Sequence, residues 1–179
     1  MSLDLKTSIL KVSKQLLINQ MSKESVEFIN EIDNMIAKKI IKTAEKLITS
    51  SNHVTINPKA IQSAVRLILP TELARKTMSD GMRAMSKYIQ SQTPGDRSKR
   101  AGLQVQVSRI ENYMREILKT DIRINEYAPV YLAGVIEYLN AHILDISKHD
   151  AGDKRIDIKY VKIGLYNDDE FSKLLLCLN

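Results

Sequence analysis

The chain has 179 residues, of which 44% are apolar, and it carries a formal net charge of +6 with an isoelectric point near 9.3. This apolar content supports a folded core and excludes an intrinsically disordered chain. A single cysteine, Cys177, excludes an intramolecular disulfide framework. Because no segment has signal-peptide character or the ~20 apolar residues of a membrane span, the sequence predicts a soluble, intracellular protein.

The positive charge is concentrated in the first half of the chain. Residues 1–90 contain 14 Lys and Arg against 8 Asp and Glu, whereas residues 91–179 contain 13 of each. A basic excess is compatible with nucleic acid, anionic lipid or an acidic protein as partner. Charge alone therefore does not select the partner.

Helical periodicity dominates the first half. Apolar residues recur every three or four positions from Ile29 to Leu47, which predicts one long helix of about seven turns. Asn57 is a favourable N-cap and Pro58 fits a first helical turn, so a new helix is expected after a short β-like piece at 53–56. In all, this half predicts four helices, over residues 8–19, 22–50, 57–69 and 70–89.

The same order of elements returns after the polar stretch "SQTPGDRSKR" at 91–100. A short helix around 107–117 is followed by a loop, "RINEY", and by a long helix that Pro129 opens. Another β-like piece lies near 155–158, and after a short helix Asn167 is expected to cap the last one. The repeat is one of architecture and not of identity. It divides the chain into residues 1–90, a basic connector at 91–103, and residues 104–179.

Each long helix needs a partner across its apolar stripe, and two units in one chain can supply each other. The sequence therefore predicts an all-α protein in which the two units pair intramolecularly. The connection from Tyr88 to Gln104, fully extended, is long enough to allow this pairing, since ~3.3 Å per residue gives it a reach of roughly 50 Å.

Particular segments resemble the core histones. "TINPKAIQSAVRLILPTELARKTMSDGMRAMSKY", from Thr55 to Tyr88, is similar to the third and C-terminal helices of histone 2B. "RSKRAGLQVQVSRI", "APVYLAGVIEYLNAHIL" and "NDDEFSKLL" are similar to histone 2A. The resemblance covers most of the chain and identifies it as a fused histone 2B–histone 2A doublet, like those of giant DNA viruses of the marseillevirus type.

The resemblance implies both a fold and a function. The fold is two tandem histone folds paired in a handshake, in which the long helices cross antiparallel and short β-bridges join the loops. The function is sequence-tolerant wrapping of double-stranded DNA in a nucleosome-like particle, together with a histone 4–3-like partner that is itself a doublet. It also implies a DNA-containing compartment: the virion and viral factory or the host nucleus for a viral protein, and the nucleus for a cellular one.

The resemblance further assigns DNA contacts to loops, helix termini and the connector. Arg123 and Arg155 match loop arginines that enter a minor groove of wrapped DNA. His53 stands where the family has an arginine, which predicts a weaker and more pH-sensitive contact. The full predicted set is Arg123, Arg155, Lys154, Arg109, Arg115, Ser22, Lys23, His53, Thr55, Arg97, Lys99 and Arg100.

A second predicted surface is acidic. It matches the acidic patch of the family, to which chromatin factors and neighbouring histone tails bind. His142 stands where the family has a central glutamate. The residues of this patch are Glu72, Asp80, Glu137, Asp145, Asp168, Asp169 and Glu170.

The sequence contains no nucleophile–base constellation, no phosphate-cradling glycine-rich loop and no paired-cysteine zinc motif. It therefore predicts a protein that is not an enzyme and that needs no cofactor, resident metal or membrane. The alternative is a histone-fold heterodimerisation module of a transcription or chromatin assembly that does not wrap DNA. Basic groups at both loop sites argue against that alternative, because a pure interaction module does not need them.

Overall fold

The computed structural model describes residues 2–18, 20–92 and 94–178, with only the backbone described for Cys177 and Leu178. Within these residues the chain is almost wholly helical. Its elements are α1 (Lys6–Gln15), α2 (Lys23–Ser50), β1 (Thr55–Ile56), α3 (Pro58–Ile68), α4 (Thr71–Gln90), α5 (Arg97–Ala101), α6 (Val107–Ile117), β2 (Arg123–Ile124), α7 (Tyr127–Ala151), α8 (Ile158–Asn167) and α9 (Asp169–Leu178).

The two halves of the chain are joined by short β pairings at both ends of the long helices. β1 pairs in parallel with β2, which ties the end of α2 to the start of α7. An isolated parallel bridge between Met21 and Ile156 ties the start of α2 to the end of α7. The long helices therefore run antiparallel. This is the handshake of two histone folds, and the predicted fold class is confirmed.

The core is continuous across the two halves. It contains Ile29, Ile36 and Ile40 of α2 together with Val135 and Leu139 of α7, all with fully buried side chains. These residues recur at helical spacing, so each long helix presents an apolar stripe to the rest of the molecule. Neither half could bury its stripe alone, and the pairing of the halves is therefore also the formation of the core.

Helices α4 and α7 approach each other closely at two glycines. A Cβ on Gly134 would lie 2.9 Å from the Cβ of Ala84 and 3.0 Å from the Cα of Gly81. A Cβ on Gly81 would lie 3.0 Å from the ring of Tyr131. That ring is fully buried, and its hydroxyl donates to the carbonyl of Met78 at 3.3 Å. Burial raises the pKa of Tyr131 to about 12, so the hydroxyl stays a donor at physiological pH.

Some predicted boundaries are wrong. α7 begins at Tyr127, two residues before Pro129, because the Asn125 side chain accepts the Tyr127 N–H at 3.1 Å. Asn167 is the last residue of α8 and does not cap α9. The cap is Asp168, whose Oδ1 accepts the N–H groups of Glu170 at 3.0 Å and Phe171 at 2.8 Å.

Two further segments are more ordered than the sequence suggests. The predicted connector contains α5, whose N-cap Asp96 accepts the Lys99 N–H at 2.9 Å. The "RINEY" loop contains β2. Asn57, by contrast, caps α3 as predicted, with its side chain accepting the Ala60 N–H at 3.0 Å.

A carboxyl group is buried where α2 passes α7. Both oxygens of Asp33 are inaccessible and make no hydrogen bond to any described residue, and the same holds for the Asn140 amide. Burial raises the pKa of Asp33 well above its ordinary value. Asn140 partly offsets this shift, although the two side chains do not meet hydrogen-bond geometry.

We expect Asp33→Asn to stabilise the fold in a pH-dependent way. Because the folded-state pKa of Asp33 is raised, the parent protein loses stability as pH rises from the unfolded-state pKa of about 3.9 towards the folded one. Asparagine has nearly the same volume and does not titrate. Chemical denaturation should show the variant more stable by ~1 kcal/mol or more at pH 7, with a smaller difference at pH 4. An identical difference at both pH values would contradict this assignment.

Candidate nucleic-acid interface

The first candidate site consists of the two loops that β1 and β2 join, residues 51–56 and 119–125, which we call the strand loop pair. Thr55 lies in register with Arg123, and the Arg123 N–H donates to the Val54 carbonyl at 2.7 Å. The Arg123 side chain is exposed, and its guanidinium has no hydrogen bond or ion pair with any described residue. His53 is also exposed, with Nδ1 2.7 Å from the Ser51 carbonyl. The strand pairing thus fixes the backbone and leaves a free cation at the surface.

The second candidate site is the bridge loop pair, residues 16–18, 20–22 and 152–157. The Ser22 N–H donates to the Ile156 carbonyl at 2.9 Å, and the Ile156 N–H donates to the Gln20 carbonyl at 3.0 Å. The Ser22 hydroxyl is buried and accepts the Ser25 N–H at 3.2 Å, so it caps α2 instead of facing solvent. Lys23, the first residue of α2, has a side chain that is 84% exposed.

The same loop pair presents two adjacent cations. Lys154 and Arg155 are both exposed, and the Arg155 guanidinium forms an ion pair with Asp157 at 2.9 Å. This pair is solvent-accessible and therefore weak enough for a phosphate to compete with it. In this loop pair the positive charges of Lys154 and Arg155 stand beside the carboxylates of Asp153 and Asp157, and Lys23 adds an exposed cation at the start of α2.

The two loop pairs lie at opposite ends of the antiparallel long helices. α2 has 28 residues, and a helix of that length measures about 42 Å at ~1.5 Å per residue. Duplex DNA carries phosphates along its whole length, so one DNA duplex can contact the loop pairs at both ends of α2 at once. The arrangement is one of two cationic contact points at a fixed separation.

Other predicted DNA-contact residues are engaged within the chain. Arg97 and Arg115 both donate to the carboxylate of Glu111. Although burial acts to raise the pKa of Glu111, the hydrogen bonds from the two arginines hold it below its ordinary value. Arg109 reaches Asp4, with Nη1 3.5 Å from Oδ2. Of these three, only Arg115 is largely exposed, with 63% of its side chain accessible.

The predicted DNA-contact residues of the connector also include some that contact the chain itself and one that faces solvent. The Arg100 guanidinium lies 4.3 Å from the centre of the Tyr88 ring and 3.4 Å from the Tyr88 carbonyl, so it fastens the connector to α4. Lys99 is exposed. Arg97 and Arg100 therefore hold the chain together, and Lys99 is the connector cation directed to solvent.

Three residues of the predicted acidic patch accept hydrogen bonds from backbone N–H groups of the chain itself. One oxygen of Glu137 accepts the N–H groups of Gln104 at 2.6 Å and Val105 at 2.8 Å. Burial raises the pKa of Glu137 despite these hydrogen bonds. Glu170 accepts the Leu73 N–H at 3.0 Å in the first turn of α4, and Asp168 caps α9.

Of the four remaining acidic residues, three are exposed and Asp80 is partly buried. Glu72 and Asp80 form ion pairs with Arg75 and Arg83 within α4. Asp145 and Asp169 are exposed. His142 stacks between the rings of Tyr138 and Phe171, and its Nε2 lies 3.3 Å from Asp168 Oδ2. The acidic surface is therefore partly neutralised by its own neighbours.

Sequence reasoning missed two residues of the bridge loop pair region. Lys148, in the last turn of α7, donates from Nζ to the Leu16 carbonyl at 2.8 Å. Leu17 is 78% exposed on the loop itself. Both line a cavity of about 290 Å³ with Lys154 and Arg155. Nothing in the periodicity singles them out, because the cavity forms only when the halves pair.

Other kinds of site are absent from the part of the chain that the structure describes. There, no three His, Cys, Asp or Glu residues come together to hold a metal ion. No described helix combines the length and the apolar character needed to cross a membrane.

Comparison with known proteins relates part of the chain to histone 2A. Histone 2A-IV of Volvox carteri and histone 2A of Chlamydomonas reinhardtii are each 42% identical to it over 82 residues, 44% of this chain. The macro-type histone 2A of Capsaspora owczarzaki is 41% identical over 96 residues, 51% of this chain. The chain spans 63% of the two algal histones and 26% of the third protein. No protein-family model matches the chain.

We expect the two variants Glu137→Gln and Glu137→Ala to differ sharply in stability. Glutamine keeps an acceptor for the Gln104 and Val105 N–H groups and removes a charge whose burial is unfavourable. Alanine leaves both N–H groups without their acceptor, which should cost ~2 kcal/mol. Denaturation midpoints at pH 7 measure both changes. Equal stability of the two variants would show that the side chain does not hold the segment before α6 in place.

Proposed function

We propose that this protein is a histone doublet that compacts DNA by wrapping it in a nucleosome-like particle. Its halves correspond to histone 2B and histone 2A, and its partner is a histone 4–3-like protein, itself a fused doublet. The observation that carries the proposal is the placement of exposed arginines, Arg123 and Arg155, on paired loops at the two ends of the antiparallel long helices.

The chemistry of this surface favours the phosphate backbone over base edges. Its groups are Lys and Arg side chains on loops, and they neutralise phosphates and enter minor grooves without distinguishing sequence. The relatives support a DNA-packaging role over an enzymatic one, because they are histones. Binding is therefore sequence-tolerant and salt-dependent.

The proposal also covers location and further partners. The protein acts in a DNA-containing compartment, which for a viral doublet is the virion and viral factory or the host nucleus. The exposed acidic residues, chiefly Asp145 and Asp169, offer a contact for chromatin factors or histone tails. Because Glu137, Asp168 and Glu170 accept backbone N–H groups of the chain itself, we expect binding at this surface to be weaker than at a patch whose carboxylates are all exposed.

Nuclease protection tests the wrapping itself. The protein is mixed with a histone 4–3-like doublet and plasmid DNA, and the product is digested with micrococcal nuclease. We expect a discrete protected band of about 146 bp or somewhat shorter, since histone octamers protect DNA of that length. Each protein alone is the control. A smear without a protected length would instead support the alternative, a dimerisation module that does not wrap DNA.

The two loop arginines are tested by the salt dependence of DNA binding. Arg123→Ala combined with Arg155→Ala should weaken binding and lower the slope of log K against log salt by about 2, if each arginine neutralises one phosphate. Arg75→Ala combined with Arg83→Ala is a matched control, because it removes the same charge from exposed positions of α4. Equal slope changes in the two double variants would mean that only net charge matters.

A further inference from the structure

Leu17 occupies a backbone conformation that leucine adopts only at a steric cost. Helices α1, α2 and α5 end in the same turn, closed by N–H groups of Ile18, His53 and Leu103 that donate to carbonyls five residues earlier. The residue before each of these three donors has a left-handed backbone, with φ of 56°, 56° and 70°. At α2 this residue is Asn52 and at α5 it is Gly102, which suit the conformation, whereas at α1 it is Leu17.

Packing does not explain the leucine. Its neighbours Leu16 and Ile18 contribute to the core, and Ile18 is only 8% exposed, but Leu17 itself is 78% exposed. Glycine or asparagine would close α1 with less strain, and no core contact would be lost. The side chain therefore costs stability without filling the interior.

The surroundings of Leu17 indicate what it contacts. It lines the cavity of about 290 Å³ in the bridge loop pair, where three cations, Lys148, Lys154 and Arg155, outnumber the single carboxylate of Asp153. The Lys148 ammonium holds the Leu16 carbonyl at 2.8 Å, which fixes the turn that presents Leu17. A ligand for this surface must combine negative charge with apolar area. Duplex DNA does so, because its charged phosphates flank grooves that accept leucine among other apolar side chains.

We propose that Leu17 is an apolar DNA contact that packs against the deoxyribose walls of the minor groove entered by Arg155. This inference rests on the proposed function and adds a residue to it that charge-based reasoning does not find. A contact of this kind adds affinity but neutralises no phosphate. Its signature is a change in affinity at constant salt dependence.

The test uses Leu17→Gly and Leu17→Asn in the full chain, since the chain itself places Gly and Asn at the equivalent turns. A short labelled DNA duplex of mixed sequence is titrated at several salt concentrations. Both variants should bind about fivefold more weakly at every salt concentration, with an unchanged slope, as expected for loss of one partly buried leucine. Leu17→Gly should also raise the melting temperature of the free protein by about 2 °C.

The control is Leu67→Asn, which changes another exposed leucine, 67% accessible, that does not line the cavity. Parent-like affinity of both Leu17 variants, with the loop arginine variant still reducing the slope, would overturn this inference alone. If the arginine variant also left the salt slope unchanged, the proposed function itself would fail.

Discussion

The fold depends on the close contact between α4 and α7, one from each half of the chain. Gly81 and Gly134 allow the two helix backbones to approach so nearly that a methyl group on Gly134 would meet backbone atoms. Dispersion contacts fall off steeply with distance, so an approach of this kind secures dense packing along the rest of the interface. The buried ring of Tyr131 lies against Gly81 and carries the packing deeper into the core. The same core also holds the antiparallel helices α2 and α7, whose ends carry the two loop pairs.

Buried polar contacts act both within the second half and between the halves. Within the second half, Glu137 on α7 accepts the backbone N–H groups that precede α6. Between the halves, Glu170 on α9 accepts one from the first turn of α4. The connector is held by Arg97, through Glu111, and by Arg100, over Tyr88. Several charged side chains thus make hydrogen bonds and ion pairs inside the molecule, although composition alone would place them on the surface. The net charge of +6 is consequently a poor measure of the charge that is free at the surface.

Periodicity in the sequence predicted the helices and their repetition well, because amphipathic spacing is a local property. The N-cap at Asn57 was predicted for the same reason. The cap at α9 was not, since Asn167 and Asp168 are adjacent and both suit the role. The intramolecular contacts of Arg97, Arg100 and Glu137 could not be predicted from local sequence, because their partners lie 9 to 33 residues away along the chain. The buried pair Asp33 and Asn140 was missed for a related reason: its burial arises only where α2 meets α7.

The connector has a consequence for how the protein responds to concentration. Two histone folds on separate chains associate by mass action, so their paired state is lost on dilution. Here α4 leads through residues 91–96 into α5, and α5 is fastened to both α4 and α6. The second half is therefore always present at a high effective concentration beside the first. Pairing becomes a unimolecular event with fixed one-to-one stoichiometry, and a single messenger supplies both halves in equal amounts wherever the chain is made.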